Sequence, residues 1–123
     1  MIRFLPLIAA FAMTLTTAFS LEGPVRHIVS FKFKADAASA DIEKIQREFV
    51  GLKSKIPQIQ SIEWGKNISP EDRAKGITHM WILTFADMNA LKTYIDHPDH
   101  QAFVTLLKPS LEDLFVFDFI PTP

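Results

Sequence analysis

Two segments in which apolar residues alternate constrain the fold of this chain most strongly. In Val25–Phe33 every second side chain is apolar or aromatic except His27, and residues 78–85 repeat this pattern around His79. A period of two is typical of a strand with one face on the core. We therefore predict two strands, with His27 and His79 facing the interior. Both faces of the second segment are mostly apolar, which favours a central strand.

The segments between these strands predict one helix, a weaker strand and a loop. Apolar residues recur at helical spacing and stop at Pro57, which favours an amphipathic helix with Asp36 or Ser39 as its N-cap. Residues 59–66 alternate more weakly and predict a strand. Residues 67–76 are charged, contain Ser-Pro and end in glycine, which indicates an exposed loop. The buried stripe of the helix is expected at Ile42, Ile45, Phe49, Leu52 and Ile56.

A second helical region is interrupted by Pro98. Asp87 is a natural N-cap for its first part, and Pro98 can be the first residue of the next helix. Lys108 and Pro109 end this second part, and residues 114–120 are almost wholly apolar and predict a last strand. The buried stripes are expected at Met88, Leu91 and Ile95 in the first part, and at His100, Phe103 and Leu107 in the second.

The predicted order is β-α-β-β-α-β, which is the ferredoxin-like α+β plan. It has an antiparallel four-stranded sheet with helices on one face. The helices are expected to cover the face that carries His27 and His79. The other face, with Ile28, Met80 and Ile82, has nothing left in the chain to cover it. We therefore predict a homodimer that packs open sheet face on open sheet face and forms a dimeric α/β barrel.

Residues 1–20 have the pattern of a secretory signal peptide. Arg3 supplies a positive charge, residues 4–15 are largely apolar, and Ala18 and Ser20 are small residues at positions −3 and −1 of a cut after Ser20. The apolar run is short for a membrane span, although an uncleaved anchor is the alternative. The expected mature protein is secreted or periplasmic and has no stable membrane anchor.

Composition excludes several classes of function. Without the first twenty residues, 12 basic and 14 acidic side chains give a formal charge of −2, because only Arg3 is lost. No basic run is present, so a nucleic acid is not an expected partner. The chain has no cysteine, which excludes thiol catalysis and iron–sulfur clusters. No His-Glu-x-x-His pattern exists, so no metal or other cofactor is expected, although three histidines could form a zinc site.

The densest group of proton-handling side chains is Tyr94, His97 and His100. A neutral histidine can abstract a proton alpha to a carbonyl, and a phenol can donate a hydrogen bond to the enolate oxygen. Tyr94 and His100 are the candidates for this chemistry, and His97 is expected to be structural, at the end of a helix. The alternative is that these groups, with His27 and His79, only fill the core. Trp81 is expected in the core or in a pocket wall.

Motifs over nearly the whole chain resemble the stress-responsive dimeric α/β-barrel (Dabb) family. They are residues 26–34, Gly-Ile-Thr-His at 76–79, Leu91-x-x-Tyr94-x-x-His97-Pro98-x-His100-x-x-Phe103, and Phe-Asp-Phe at 117–119. The resemblance implies a Dabb domain at residues 25–120, preceded by a linker at 21–24 and followed by a tail at 121–123. It also implies a homodimer whose two sheets form a barrel.

Within that family the chain is similar to the plant polyketide cyclases. This similarity implies a small-molecule ligand, with His100 as general base and Tyr94 as its partner at the substrate carbonyl. His27 and His79 would line the pocket, with Trp81 beside them. Three functions stay open: a cyclase or lyase that acts by proton abstraction, a non-catalytic stress-related binding or structural dimer, and a cofactor-free monooxygenase on a related barrel.

Overall fold

The computed structural model describes residues 23–123, together with residues 2, 9, 10 and 12. Apart from those four positions, the proposed signal peptide and the first two linker residues lie outside the described part of the chain. Within it, no helix is long and apolar enough to cross a membrane. The elements are β1 (Val25–Phe33), α1 (Ser39–Lys55), β2 (Ser61–Lys66), β3 (His79–Phe85), α2 (Met88–Asp96), α3 (Pro98–Leu107), a 3₁₀ turn (Lys108–Ser110) and β4 (Leu111–Phe119).

The four strands form one antiparallel sheet in the order β2-β3-β1-β4. This order confirms the predicted ferredoxin-like fold. The register places His27 beside Leu83 on β3 and beside Asp118 on β4. Since side chains alternate between the two faces of a sheet, every inward residue of β1 has inward neighbours on both sides.

The three helices cover one face of the sheet through an aromatic core. Trp81 is fully buried, and its ring stacks on Phe49 of α1 with centroids 4.9 Å apart. Phe49 in turn packs on Phe103 of α3 at 4.6 Å, and Tyr94 of α2 packs on Phe85 at 5.0 Å. These contacts link all three helices to the inward face of the central strands.

Local predictions differ from the structure most clearly in three places. The N-cap of α1 is Ala38, without a side-chain hydrogen bond, and Ser39 is already helical. In α2 the buried residue of the last turn is Tyr94, while Ile95 is 40% exposed. The last strand begins at Leu111 rather than at residue 114, because this stretch pairs with the end of β1 across a register shift.

The second face of the sheet is uncovered in the described part of the chain. Large apolar side chains are exposed there on β3 and β4, which is unusual for a surface that meets only water. They are Met80 (42% exposed), Phe115 (49%), Phe117 (53%) and Phe119 (39%).

Candidate functional site

A cavity of about 230 Å³ lies between the helix-covered face of the sheet and the helices α2 and α3. We call it the helix-side cavity. His27, Tyr94 and His100 line it, which brings together three of the residues expected to form the site. The other residues that line it are apolar, among them Val29, Phe103, Leu107, Leu114 and Val116.

His27 is held in the cavity wall by its strand and by an acidic partner. Its Nδ1 lies 2.5 Å from Oδ1 of Asp118 on the neighbouring strand β4. A carboxylate accepts hydrogen bonds, so Nδ1–H of His27 donates to Asp118, and this bond fixes the orientation of the ring. The ring also meets Tyr94 edge-on, with centroids 5.7 Å apart. His27 therefore has a defined orientation beside the phenol.

Tyr94 lines the cavity from the last turn of α2. The residue is only 1% exposed, and its ring packs on Phe85 at 5.0 Å and on His100 at 4.4 Å. Among the described residues, the hydroxyl has no hydrogen-bond partner. Burial raises the pKa of the phenol well above its usual value of 10.0. Tyr94 therefore stays protonated and has a hydrogen bond to donate.

The break between α2 and α3 orients His100. Nδ1–H of His100 donates to the carbonyl oxygen of Ile95 at 2.9 Å, and Nε2 of Gln101 donates to the same oxygen at 2.9 Å. This carbonyl is available because the N–H of Asp99, its partner in a continuous helix, donates to Nδ1 of His97 instead, and the carbonyls in the last turn of a helix have no partner within it. With Nδ1 used as a donor, Nε2 of His100 carries the free lone pair of the neutral ring.

The surroundings of His100 favour its neutral form over its protonated form. Burial is the main cause that lowers its pKa, and the nearby His27 and His97 lower it further, while the hydrogen bond to Ile95 acts in the opposite direction. A neutral imidazole with a free Nε2 is the form that accepts a proton. The geometry and the protonation state of His100 therefore both suit a general base.

His97 has a structural role at the helix break. It follows α2 as predicted, but its side chain serves the next helix, since Nδ1 of His97 accepts a hydrogen bond from the backbone N–H of Asp99 at 3.1 Å. This is the N-cap contact that normally comes from Ser, Thr, Asp or Asn. His97 does not line the helix-side cavity.

The structure separates His79 and Trp81 from this cavity, so the prediction that all four groups surround one space is wrong. Nε2 of His79 accepts from Nε2 of Gln46 at 2.7 Å, and Nδ1 lies 2.7 Å from Oγ1 of Thr78. Burial, and secondarily Lys66, lower the pKa of His79. Both ring nitrogens are thus occupied within the chain. Trp81 is fully buried in the core.

A second and larger cavity, of about 550 Å³, lies on the opposite side of the sheet beneath the loop that joins β2 to β3. We call it the sheet-side cavity. The backbone of β2 and β3 forms its floor, and the loop forms its rim. Residues that line it include Glu63, Gly65, Ile68, Met80 and Ile82, with His79 at its border.

Two parts of the helix-side site were not predicted from the sequence. Asp118 is in phase with Leu114 and Val116 in a period of two, so an acid on the inward side of the last strand was a detectable signal. The role of the Ile95 carbonyl could not be predicted, because the sequence shows only that the helix breaks at Pro98. For metals, no cluster of three or more His, Asp or Glu side chains in the described ranges is arranged to hold an ion.

The fold and the cavity define a class of protein: a ferredoxin-like α+β domain with a histidine and tyrosine site between sheet and helices. A family model described as the stress responsive A/B barrel domain matches residues 25–121. The chain belongs to this Dabb family.

Two relatives from plants cover most of the chain. The stress-response A/B barrel domain-containing protein HS1 of Arabidopsis thaliana is 34% identical over 101 residues, which are 82% of this chain and 93% of the relative. Olivetolic acid cyclase of Cannabis sativa is 31% identical over 97 residues, which are 79% of this chain and 96% of the relative. The expected similarity to a plant polyketide cyclase is thereby confirmed.

Solved structures show the same fold. A hydroxynitrile lyase from Passiflora edulis has a TM-score of 0.77 and 27% identity, over 82% of this chain and 95% of its own. A dimeric protein of unknown function from Bacteroides fragilis has a TM-score of 0.64 and 27% identity, over 80% of this chain and 96% of its own. Relatives of this chain thus include a cyclase, a lyase and a dimer.

Proposed function

We propose that the chain binds a small uncharged carbonyl compound in the helix-side cavity and abstracts a proton alpha to the carbonyl, as a lyase or cyclase. One observation carries this proposal. The free Nε2 of His100 and the unpartnered hydroxyl of Tyr94 belong to rings 4.4 Å apart that line the same cavity.

Each group has a distinct role in the proposed reaction. Nε2 of His100 takes the proton from carbon, and the hydroxyl of Tyr94 donates to the oxygen on which negative charge develops. General base catalysis contributes about 10²–10⁴-fold. A donor aimed at a developing oxyanion contributes about 10²–10³-fold. His27, held by Asp118, lies beside the phenol and forms the polar end of the cavity with it.

The lining of the cavity indicates the ligand class. None of the described residues that line it is a lysine or an arginine, so a carboxylate or phosphate would lack a cationic partner. The apolar walls favour an aromatic or polyketide-like body. The cyclase and lyase among the relatives support the reaction class.

The proposal is tested by deuterium exchange into phenylacetone in D₂O, followed by proton NMR. This neutral aromatic ketone has acidic protons next to its carbonyl, so it probes the proton transfer itself. We expect exchange above the uncatalysed rate with the wild-type protein and its loss in His100→Ala. The matched control is His97→Asn, which removes a histidine outside the cavity and keeps a good N-cap residue.

Two outcomes would overturn the catalytic proposal. One is exchange at the uncatalysed rate although phenylacetone binds, which would support the non-catalytic binding dimer. The other is equal exchange by the wild type and His100→Ala. A loss of folded structure in His100→Ala, seen by circular dichroism, would instead point to a packing role.

We further propose that the protein is a homodimer through the uncovered face of the sheet. The exposed apolar side chains of β3 and β4 support this, as does the dimeric relative of 27% identity. Light scattering at micromolar concentration should give twice the mass of one chain. A monomer would contradict the proposal.

The third proposal concerns export. The charged, apolar and small-residue pattern of residues 1–20 supports a signal peptide that is cut after Ser20, and hence a secreted or periplasmic protein. N-terminal sequencing of protein from the native host should begin at Leu21. A chain that begins at Met1 would contradict export by this route.

A further inference from the structure

His97 joins the end of α2 to the start of α3, and its side chain contacts the backbone through an atom that can also take up a proton. We propose that His97 is a pH-dependent positioning residue for His100. When His97 is neutral, it holds the first turn of α3 and with it the base; when it is protonated, it releases this turn. This inference rests on the proposed function and adds a regulation of the same site.

The neutral form of His97 is the form that caps α3. Its Nδ1 accepts a hydrogen bond from the backbone N–H of Asp99 at 3.1 Å. An imidazole nitrogen accepts only through its lone pair, and in the protonated ring both nitrogens are donors. The common cap residues Ser, Thr and Asn keep an acceptor oxygen when the pH falls. A histidine cap differs from them because a proton removes it.

A second partner is available to the protonated ring. Oδ2 of Asp99 lies 3.7 Å from the same Nδ1, which is beyond hydrogen-bond distance but within reach of a small rotation of the ring. A charged Nδ1–H would donate to this carboxylate and leave the N–H of Asp99 without its acceptor. The two contacts exclude each other, because both use Nδ1. The side chain of His97 is 26% exposed, so a proton from water can reach it.

The first turn of α3 carries the groups that orient His100. Nδ1 of His100 and Nε2 of Gln101 both donate to the carbonyl oxygen of Ile95 on α2. The backbone N–H of Gln101 donates to the carbonyl oxygen of His97 at 3.0 Å. These bonds span the break between the two helices, so they hold only while the first turn keeps its place. Loss of the cap therefore acts on His100, although His97 does not line the helix-side cavity.

The charge of a protonated His97 acts in the same direction. A positive charge at the N-terminus of a helix is unfavourable, because this end carries the positive pole of the helix dipole. Asp99 is the one carboxylate of the described chain at ion-pair distance from a ring nitrogen of His97. The other charged and titratable groups near the break are Asp96 at the end of α2, His100 on α3, and His27 of β1 with its partner Asp118.

The expected effect of the lost cap is large enough to measure. An N-cap contact changes the ratio of ordered to frayed first turns by about five- to thirty-fold. Histidine is the side chain that changes its charge between about pH 5 and pH 8. We therefore expect the exchange rate to fall by at least about five-fold over this range, in addition to the fall that protonation of His100 itself causes.

Two substitutions of His97 separate these effects in deuterium exchange into phenylacetone. His97→Asn keeps an acceptor that does not titrate, and His97→Leu has none. Protonation of His100 is common to all three proteins, so it cancels in a ratio of rates. The ratio of wild type to His97→Asn should be close to one at about pH 8 and at least about five-fold lower at about pH 5. His97→Leu should be slower than His97→Asn at both ends of the range.

Nitrogen NMR tests the same inference without any activity. As His97 takes up its proton, the backbone amide of Asp99 and the ring nitrogens of His100 should shift together with the His97 ring. In His97→Asn the ring of His100 should show its own titration alone. This measurement also decides the inference if His97→Leu does not fold.

The outcomes separate this inference from the proposed function. A ratio of wild-type to His97→Asn rates that stays constant with pH would overturn the regulation by His97, as would His100 signals that do not follow the His97 titration. Equal rates of His97→Leu and His97→Asn at every pH would overturn the role of the cap. A wild-type protein that exchanges no deuterium would instead overturn the proposed function, and the NMR titration would then decide whether His97 controls the position of His100.

Discussion

Replacement of Tyr94 by phenylalanine separates a catalytic hydroxyl from a packing ring. The ring keeps its contacts with Phe85, His27 and His100, and no hydrogen bond within the described chain is lost. A buried hydrogen bond contributes about 1 kcal/mol, and here none is removed. We therefore expect the free energy of unfolding to change by less than about 0.5 kcal/mol. The loss of a donor to the developing oxyanion should lower the rate about 10²–10³-fold.

Two assays on the same sample test this prediction. Thermal denaturation followed by circular dichroism gives the stability, and deuterium exchange into phenylacetone gives the rate. Tyr94→Ala is the contrasting variant, since removal of a ring that is 1% exposed should cost about 3–5 kcal/mol. If Tyr94→Phe exchanges deuterium at the wild-type rate, the phenol has no role in catalysis. If it is destabilised by 2 kcal/mol or more, the hydroxyl has a structural hydrogen-bond partner in the folded protein.

Three further predictions concern pH, the acidic partner and a helix cap. Because burial lowers the pKa of His100, the rate of exchange should fall on acidification with a midpoint below the ordinary value of 6.5, and a midpoint above it would contradict the assignment. This group also contributes stability that is present above pH 6.5 and lost as the pH falls towards its lowered pKa in the folded state. Asp118→Leu removes the acceptor of His27 Nδ1–H and should shift the His27 ring signals in nitrogen NMR while the fold is retained; an unchanged ring would show that Asp118 does not orient it. Asp87→Ala removes the side-chain bond to Ala90 N–H and should cost about 1 kcal/mol in urea denaturation with the exchange rate unchanged.

Periodicity was sufficient for most of the fold. The first strand was predicted over its observed range, Val25–Phe33, because its inward residues alternate without interruption. The break at Pro98 was also predicted. Proline has no backbone N–H, so it cannot donate the hydrogen bond to the carbonyl four residues earlier that a continuous helix needs. The inward direction of His27 followed from the same period of two.

The parts of the site that were not predicted depend on contacts between distant segments. Asp118 reaches His27 only because β4 pairs with β1, and a register between strands far apart in sequence is not visible in a local pattern. Likewise, an inward His79 was expected at the same cavity, but its position nearer α1 gives it Gln46 as a partner instead. Local patterns define which face a residue occupies, and not which neighbour it meets on that face.

The most direct test of the central claim is nitrogen NMR of the histidine side chains, with and without benzaldehyde. In the proposed function, Nε2 of His100 is a free base in a cavity that binds an uncharged aromatic carbonyl compound. We predict that His100 is neutral at pH 7 with its proton on Nδ1, and that benzaldehyde shifts the signals of His100 and His27 but not those of His97. A proton on Nε2 of His100, or shifts confined to His97, would contradict the claim.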